Sequence, residues 1–140
     1  EVLAMADEYA QAAQKVIEPT RIDMINAAKN YFASLKIMEE EECQGISMDC
    51  LGLVGNREIP TPPCLSWTRL LDHGQSGTCE ADVNAVMSHE VCLKLLDKPG
   101  FMQDPVPDTE RGTLIGAHCV CATKLQGPDQ PPAPFLLRSH

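Results

Sequence analysis

The run CEADVNAVMSHEVCLKLLDKPG at residues 79–100, followed by FMQD at 101–104 and GAH at 116–118, decides how this chain folds. Apolar residues recur about every four positions through its first part, which predicts a central helix over about 79–97. Two extended segments follow around a polar stretch that ends in glycine, and they predict a β-hairpin over about 101–118. A helix followed by paired strands indicates an α/β fold.

Periodicity also organises the chain before this run. It predicts helices over 3–17, 20–38 and 65–72 and a strand over 46–51. Thr20 and Asp23 have the spacing of a capping box for the second helix. The expected architecture is α/β, with an N-terminal helical segment. We expect 1–125 to form an α/β domain and the proline-rich 126–140 to be a tail.

Composition excludes two classes of partner. The 140 residues carry a net charge of −9, whereas a nucleic-acid-binding surface needs a basic face. No apolar run approaches the roughly 20 residues that a membrane span needs, so neither nucleic acid nor membrane is expected as a partner. Seven cysteines, an odd number without a regular spacing, favour reduced thiols and a cytoplasmic location.

Three polar residues of the deciding run are candidates for one site. The start of a helix and the end of the following strand lie at the same edge of an α/β unit, which brings Glu80 and Asp104 together. If the hairpin turn centres near Arg111, Asp104 pairs with His118, and paired residues stand about 5 Å apart at Cβ. Two carboxylates and an imidazole suit a divalent cation such as Mn²⁺ or Mg²⁺.

Simpler interpretations of the same residues stay open at this point. Glu80 in a first helical turn is favoured by the helix dipole alone, and Asp104 before a proline is a common turn residue. His118 on a strand is often only hydrogen-bonded filler. Cys119 and Cys121 could bind zinc, although no second Cys/His pair at zinc-finger spacing accompanies them.

Taken together, the motifs at 79–82, 101–104 and 116–118 resemble the superfamily of L-fucose isomerase and L-arabinose isomerase, most clearly over about 64–121. The resemblance implies a metal-dependent intramolecular oxidoreductase that interconverts aldose and ketose sugars through an enediol, usually with Mn²⁺. It implies that Glu80 and Asp104 are catalytic carboxylates and metal ligands. It also implies that His118 is a metal ligand.

The chain departs from this family in two respects. Gln103 stands where the arabinose branch has a glutamate, which favours the fucose-like side. Family members are several times longer, so the resemblance implies that 1–125 is a partial three-layer α/β domain from the centre of a longer protein. It implies that 126–140, if not a tail, is the start of a truncated C-terminal domain. Such a central-domain fragment is expected to be inactive alone and to belong to a homo-oligomer when whole. His140 is a candidate for a further ligand, with a frayed chain terminus as the simpler interpretation. The alternative is an isomerase-like domain that binds a sugar or a protein partner without turnover.

Overall fold

This computed structural model describes residues 1–139, which contain five helices and six short strands. The helices are α1 (Val2–Ala12), α2 (Arg21–Glu40), α3 (Cys50–Gly55), α4 (Cys64–Asp72) and α5 (Val83–Leu96). The strands are β1 (Lys15–Val16), β2 (Gly45–Ser47), β3 (Ser76–Thr78), β4 (Asp104–Asp108), β5 (Thr113–Ala117) and β6 (Leu136–Leu137). The predicted mixed α/β class is confirmed. The three-layer arrangement and the division near residue 125 stay predictions.

The strands form three separate two-stranded sheets. β1 pairs with β6 and β2 with β3, both in parallel, whereas β4 and β5 form an antiparallel hairpin. The pairing of β1 with β6 joins the two ends of the chain, because Lys15 lies opposite Leu136. None of the helices within residues 1–139 has both the length and the apolar character to cross a bilayer.

α2 begins where the sequence predicts. The Thr20 hydroxyl accepts a hydrogen bond from the Asp23 amide, and the Asp23 carboxylate accepts one from the Thr20 amide at 2.8 Å. This capping box satisfies two amides that a helix start otherwise leaves unpaired. Hydrogen bonds from Thr20 also lower the pKa of Asp23.

The core lies between the N-terminal helices and α4. Trp67, Leu70 and Leu71 of α4 are almost fully buried, and Ser66 donates a 2.7 Å hydrogen bond to the Ala27 carbonyl of α2. A helix with this apolar face is stabilised mainly by its packing. α4 is therefore the fixed element from which the neighbouring segments are positioned.

Gly77 lets β3 approach α4 closely. A Cβ atom at this position would lie 2.6 Å from Cε3 of Trp67 and 2.9 Å from Cδ1 of Leu70, closer than packed side chains allow. Glycine thus allows β3 to pack directly against the buried face of α4. This packing also determines where the residues that follow β3 lie.

Several predicted boundaries were wrong. The first helix ends at Ala12 rather than at residue 17, because residues 15–16 pair as β1 with the chain's other end. The predicted strand over 46–51 shortens to β2, since Asp49 accepts a hydrogen bond from the Gly52 amide and caps α3. The helix predicted from residue 79 begins at Val83, with Asp82 as its N-cap.

The apolar residues of α5 face outward. Its residues at four-position spacing, Val83, Met87, Val91 and Leu95, are all more than half exposed. The spacing that predicted the helix therefore marks a face that residues 1–139 leave uncovered. Its buried residue is instead His89.

The hairpin forms as predicted, but its register differs by one residue. Asp104 lies opposite Ala117, and Asp108 opposite Thr113. The turn is fixed by the Asp108 carboxylate, which accepts hydrogen bonds from the amides of Glu110 and Arg111. The expected pairing of Asp104 with His118 was wrong, and His118 follows directly after β5.

Candidate metal centre

Glu80 lies in the turn between β3 and α5 and not in the first turn of the helix. Its φ is 63°, and that of Ala81 is 54°, so two successive non-glycine residues adopt the left-handed conformation. Each such residue costs of order 1 kcal/mol. Strain of this kind persists only where the surroundings hold the backbone in place.

Hydrogen bonds from the end of β2 hold this turn. The Ala81 amide donates to the Met48 carbonyl at 3.1 Å, and the Ser47 hydroxyl lies 3.3 and 3.2 Å from the carbonyl oxygens of Thr78 and Cys79. The Asp82 amide donates back to the Cys79 carbonyl at 3.1 Å. These bonds fix the backbone position from which the Glu80 side chain extends.

The hairpin supplies the other two groups. Asp104 is the first residue of β4, and His118 follows the last residue of β5, so both lie at the open end of the hairpin. The Asp104 residue is exposed, whereas the His118 side chain is 3% exposed. A buried imidazole beside accessible carboxylates gives the site a rigid side and a side open to solvent.

These three side chains converge. One ligand atom each from Glu80, Asp104 and His118 lie within 4.8 Å of one another, and Nε2 of His118 is 3.8 Å from Oε1 of Glu80. In an octahedral Mg²⁺ site, ligand atoms are separated by about 3 Å when adjacent and about 4.2 Å when opposite, from bonds of about 2.1 Å. The 3.8 Å separation lies between these two values, so the side chains would shift by less than about 1 Å to reach octahedral positions. The two carboxylate oxygens suit Mn²⁺ or Mg²⁺.

The His118 ring lies between two groups of different chemistry. Its Nδ1 is 3.4 Å from Sγ of Cys119 on the side opposite to Glu80. In the tautomer with the proton on Nδ1, the ring donates to this sulfur and keeps the Nε2 lone pair for the carboxylate side. Metal-binding histidines are commonly oriented by such a hydrogen bond from their other nitrogen.

A buried carboxylate anchors the segment that carries His118. Asp72, at the end of α4, accepts hydrogen bonds from the Thr123 amide at 2.7 Å, the Thr123 hydroxyl at 2.6 Å and the Lys124 amide at 2.8 Å. The Thr68 hydroxyl of the same helix donates to the Cys121 carbonyl at 3.0 Å. The chain that leaves the hairpin is thereby fixed to the core helix.

Three cysteines meet on the other side of His118. The sulfurs of Cys64, Cys79 and Cys119, called the thiol cluster below, lie within 4.8 Å of one another, and those of Cys79 and Cys119 are 3.8 Å apart. All seven cysteines of the chain are thiols. Cys121, which the sequence pairs with Cys119 as a zinc-binding candidate, is not in this cluster and instead donates to the Ala122 carbonyl.

The thiol cluster is poorly suited to nucleophilic catalysis. Hydrogen bonding with Cys119 and burial raise the pKa of Cys64 to about 12, although a hydrogen bond with Cys79 opposes the shift. Hydrogen bonds with Cys119 and Cys64, together with burial, also raise the pKa of Cys79. A cysteine nucleophile needs a lowered pKa, so the cluster lacks the activation that nucleophilic catalysis requires.

Comparison with known proteins adds no family assignment. No family model, curated protein or solved structure matches this chain. The resemblance to sugar isomerases therefore stays a prediction from the three motifs.

The sequence identified Glu80, Asp104 and His118 but missed two members of the thiol cluster. A signal for one of them was present: Cys79 precedes Glu80 and Cys119 follows His118, so any fold that joins Glu80 to His118 also brings these cysteines near each other. Cys64 has no comparable signal, because it lies at the start of α4 and is not a sequence neighbour of Glu80 or His118. His140 lies outside the described residues.

Proposed function

We propose that this chain is the metal-binding part of a fucose-isomerase-like aldose–ketose isomerase. One observation carries the proposal: the carboxylates of Glu80 and Asp104 and the imidazole of His118 lie together, with ligand atoms within 4.8 Å. A resident Mn²⁺ or Mg²⁺ would be held by these three residues and, when bound, would polarise adjacent sugar oxygens as a Lewis acid.

The protein's own groups would then perform the proton transfer. Interconversion of an aldose and a ketose moves a proton between two adjacent carbons, which requires a base to remove it and an acid to return it. Glu80 and Asp104 can serve in these roles. The buried His118 ring would hold the position of the cation.

Exposure of the site supports a binding role for the isolated chain. The Glu80 side chain is 40% exposed, and almost all of the β4–β5 hairpin is exposed, including its apolar Val106, Leu114 and Ile115. An isomerase site excludes water from its intermediate, and residues 1–139 supply no such cover. We therefore expect the chain alone to bind the cation and not to turn over sugars.

The same exposure favours assembly. An uncovered apolar hairpin face is typical of an interaction surface, which supports the proposal that the whole protein is a homo-oligomer with a small sugar as substrate. The odd number and irregular spacing of the seven cysteines support the proposal of a reducing, cytoplasmic location.

Calorimetric titration of Mn²⁺ tests the proposal. We expect Glu80→Gln and Asp104→Asn each to weaken binding by at least about tenfold, since a site loses 10- to 100-fold even when only a supporting group is removed. Glu110→Gln, an exposed carboxylate in the turn of the same hairpin, is the matched control and should bind like the wild type. Unchanged binding by both site variants would refute the proposal.

The alternative, a domain that binds a sugar without turnover, needs a different assay. Gln103, which cannot act as a base, lies with its side chain over Gly116 at the open end of the hairpin. If an assembly with its covering segments binds fucose-like aldoses and Mn²⁺ but yields no ketose, the binding alternative replaces the isomerase.

A further inference from the structure

The geometry of the thiol cluster points to a second metal site: we propose that Cys64, Cys79 and Cys119 bind a soft cation, Zn²⁺ in the first instance. This site is separate from the carboxylate–histidine site and does not depend on the isomerase proposal. Thiolate ligands select zinc and similar soft cations, whereas carboxylates favour manganese and magnesium.

The sulfur separation fits zinc. A tetrahedral site with Zn–S bonds of about 2.3 Å places its sulfurs about 3.8 Å apart. Sγ of Cys79 and Sγ of Cys119 are 3.8 Å apart, and Sγ of Cys64 completes a group within 4.8 Å. A small inward movement of Cys64 would bring three corners of a tetrahedron into place.

The three ligands come from three different elements. Cys64 begins α4, Cys79 follows β3, and Cys119 follows β5. One bound cation would therefore connect the core helix, the strained turn that carries Glu80 and the segment that carries His118. Because Cys79 and Cys119 are sequence neighbours of Glu80 and His118, occupancy of the thiol cluster would position both of these residues.

An entry path exists for the cation. Cys64 and Cys119 both line an open groove of about 260 Å³, and Cys119 is exposed. The fourth position of the tetrahedron can face this groove and be filled by water. Binding replaces three S–H bonds with three Zn–S bonds and releases three protons to the buffer, with no change of oxidation state.

The test is zinc binding by the reduced chain in competition with a chromophoric chelator. Wild type should bind one equivalent, and Co²⁺ in its place should give the near-ultraviolet charge-transfer absorption of thiolate ligation. Cys64→Ser and Cys119→Ser should each weaken zinc binding by more than about tenfold. Cys43→Ser, an exposed cysteine outside the cluster, should have no effect.

Two further variants distinguish the thiol cluster from the carboxylate–histidine site and from Cys121. The double variant Glu80→Gln/Asp104→Asn should keep its zinc, so the failure of one site can be told from the failure of the other. If Cys121→Ser loses zinc while Cys64→Ser keeps it, the ligand set is wrong. A reduced wild-type chain that binds no zinc, or cluster variants that fold and bind it normally, would also overturn the inference. Circular dichroism of each apo variant establishes folding.

Discussion

Replacement of Asp72 by alanine should destabilise the fold far more than the same replacement of an exposed carboxylate. The Asp72 side chain accepts three hydrogen bonds from Thr123 and Lys124, and Thr123 is only 8% exposed. Each buried donor left without a partner costs about 1–3 kcal/mol. Two such donors, the Thr123 amide and hydroxyl, give a loss of about 3 kcal/mol.

This loss converts to a change in melting temperature. Unfolding entropy near 2.1 cal/mol/K per residue amounts to about 0.3 kcal/mol/K for a chain of this length, so about 3 kcal/mol lowers Tm by roughly 10 °C. Asp72→Asn should cost less, because its Oδ1 can still accept from the amides of Thr123 and Lys124. Differential scanning calorimetry at neutral pH measures both variants.

Asp7→Ala is the matched control. Asp7 forms a 3.1 Å ion pair with Arg21 at the surface, and exposed pairs contribute about 0–1 kcal/mol. Its Tm should change by no more than about 3 °C. A Tm for Asp72→Ala within 2 °C of wild type would show that Asp72 does not anchor the segment carrying His118.

Three other substitutions test the packing, the strained turn and the buried histidine by denaturant unfolding. Gly77→Ala should lower the free energy of unfolding by about 1–3 kcal/mol through contact with the Trp67 ring. Gly55→Ala, whose Cβ meets nothing within 4 Å, should leave it unchanged. Equal effects would contradict the close packing of β3 on α4. Glu80→Gly should relieve the positive φ and stabilise the chain by up to about 1 kcal/mol while weakening Mn²⁺ binding; a loss of stability would show that the turn is not strained. Burial lowers the pKa of His89, an effect that the neighbouring Glu90 partly opposes, so stability should fall as pH drops from about 6.5 towards the lowered folded-state pKa. His89→Leu should remove that part of the decline. An unchanged pH profile in this variant would show that His89 does not cause it.

Local sequence signals predicted the elements that are stabilised locally. The capping box of Thr20 and Asp23 places the start of α2, and the polar turn before Gly112 places the hairpin. The meeting of Asp104 and His118 follows from that hairpin despite the one-residue error in register, because both residues lie at its open end.

Local sequence patterns could not predict the features that depend on contacts between distant segments. Thr78 and Asp82 are both good N-cap residues, and only the pairing of β3 with β2 decides that the helix starts after Asp82. The parallel pairing of β1 with β6 and the arrival of Cys64 beside Cys79 join segments that no local period connects. Four-residue spacing in α5 likewise predicts a helix but not which of its faces the fold covers.

Paramagnetic broadening tests most directly whether Mn²⁺ binds at Glu80, Asp104 and His118. Substoichiometric Mn²⁺ should broaden the imidazole signals of His118 first in NMR spectra of the chain. Mg²⁺ is the diamagnetic control. The imidazole of His73 is the internal reference, since it lies past the far end of α4 from the thiol cluster. We expect loss of the His118 signals while those of His73 persist, and equal broadening of both would show that Mn²⁺ does not bind specifically at Glu80, Asp104 and His118.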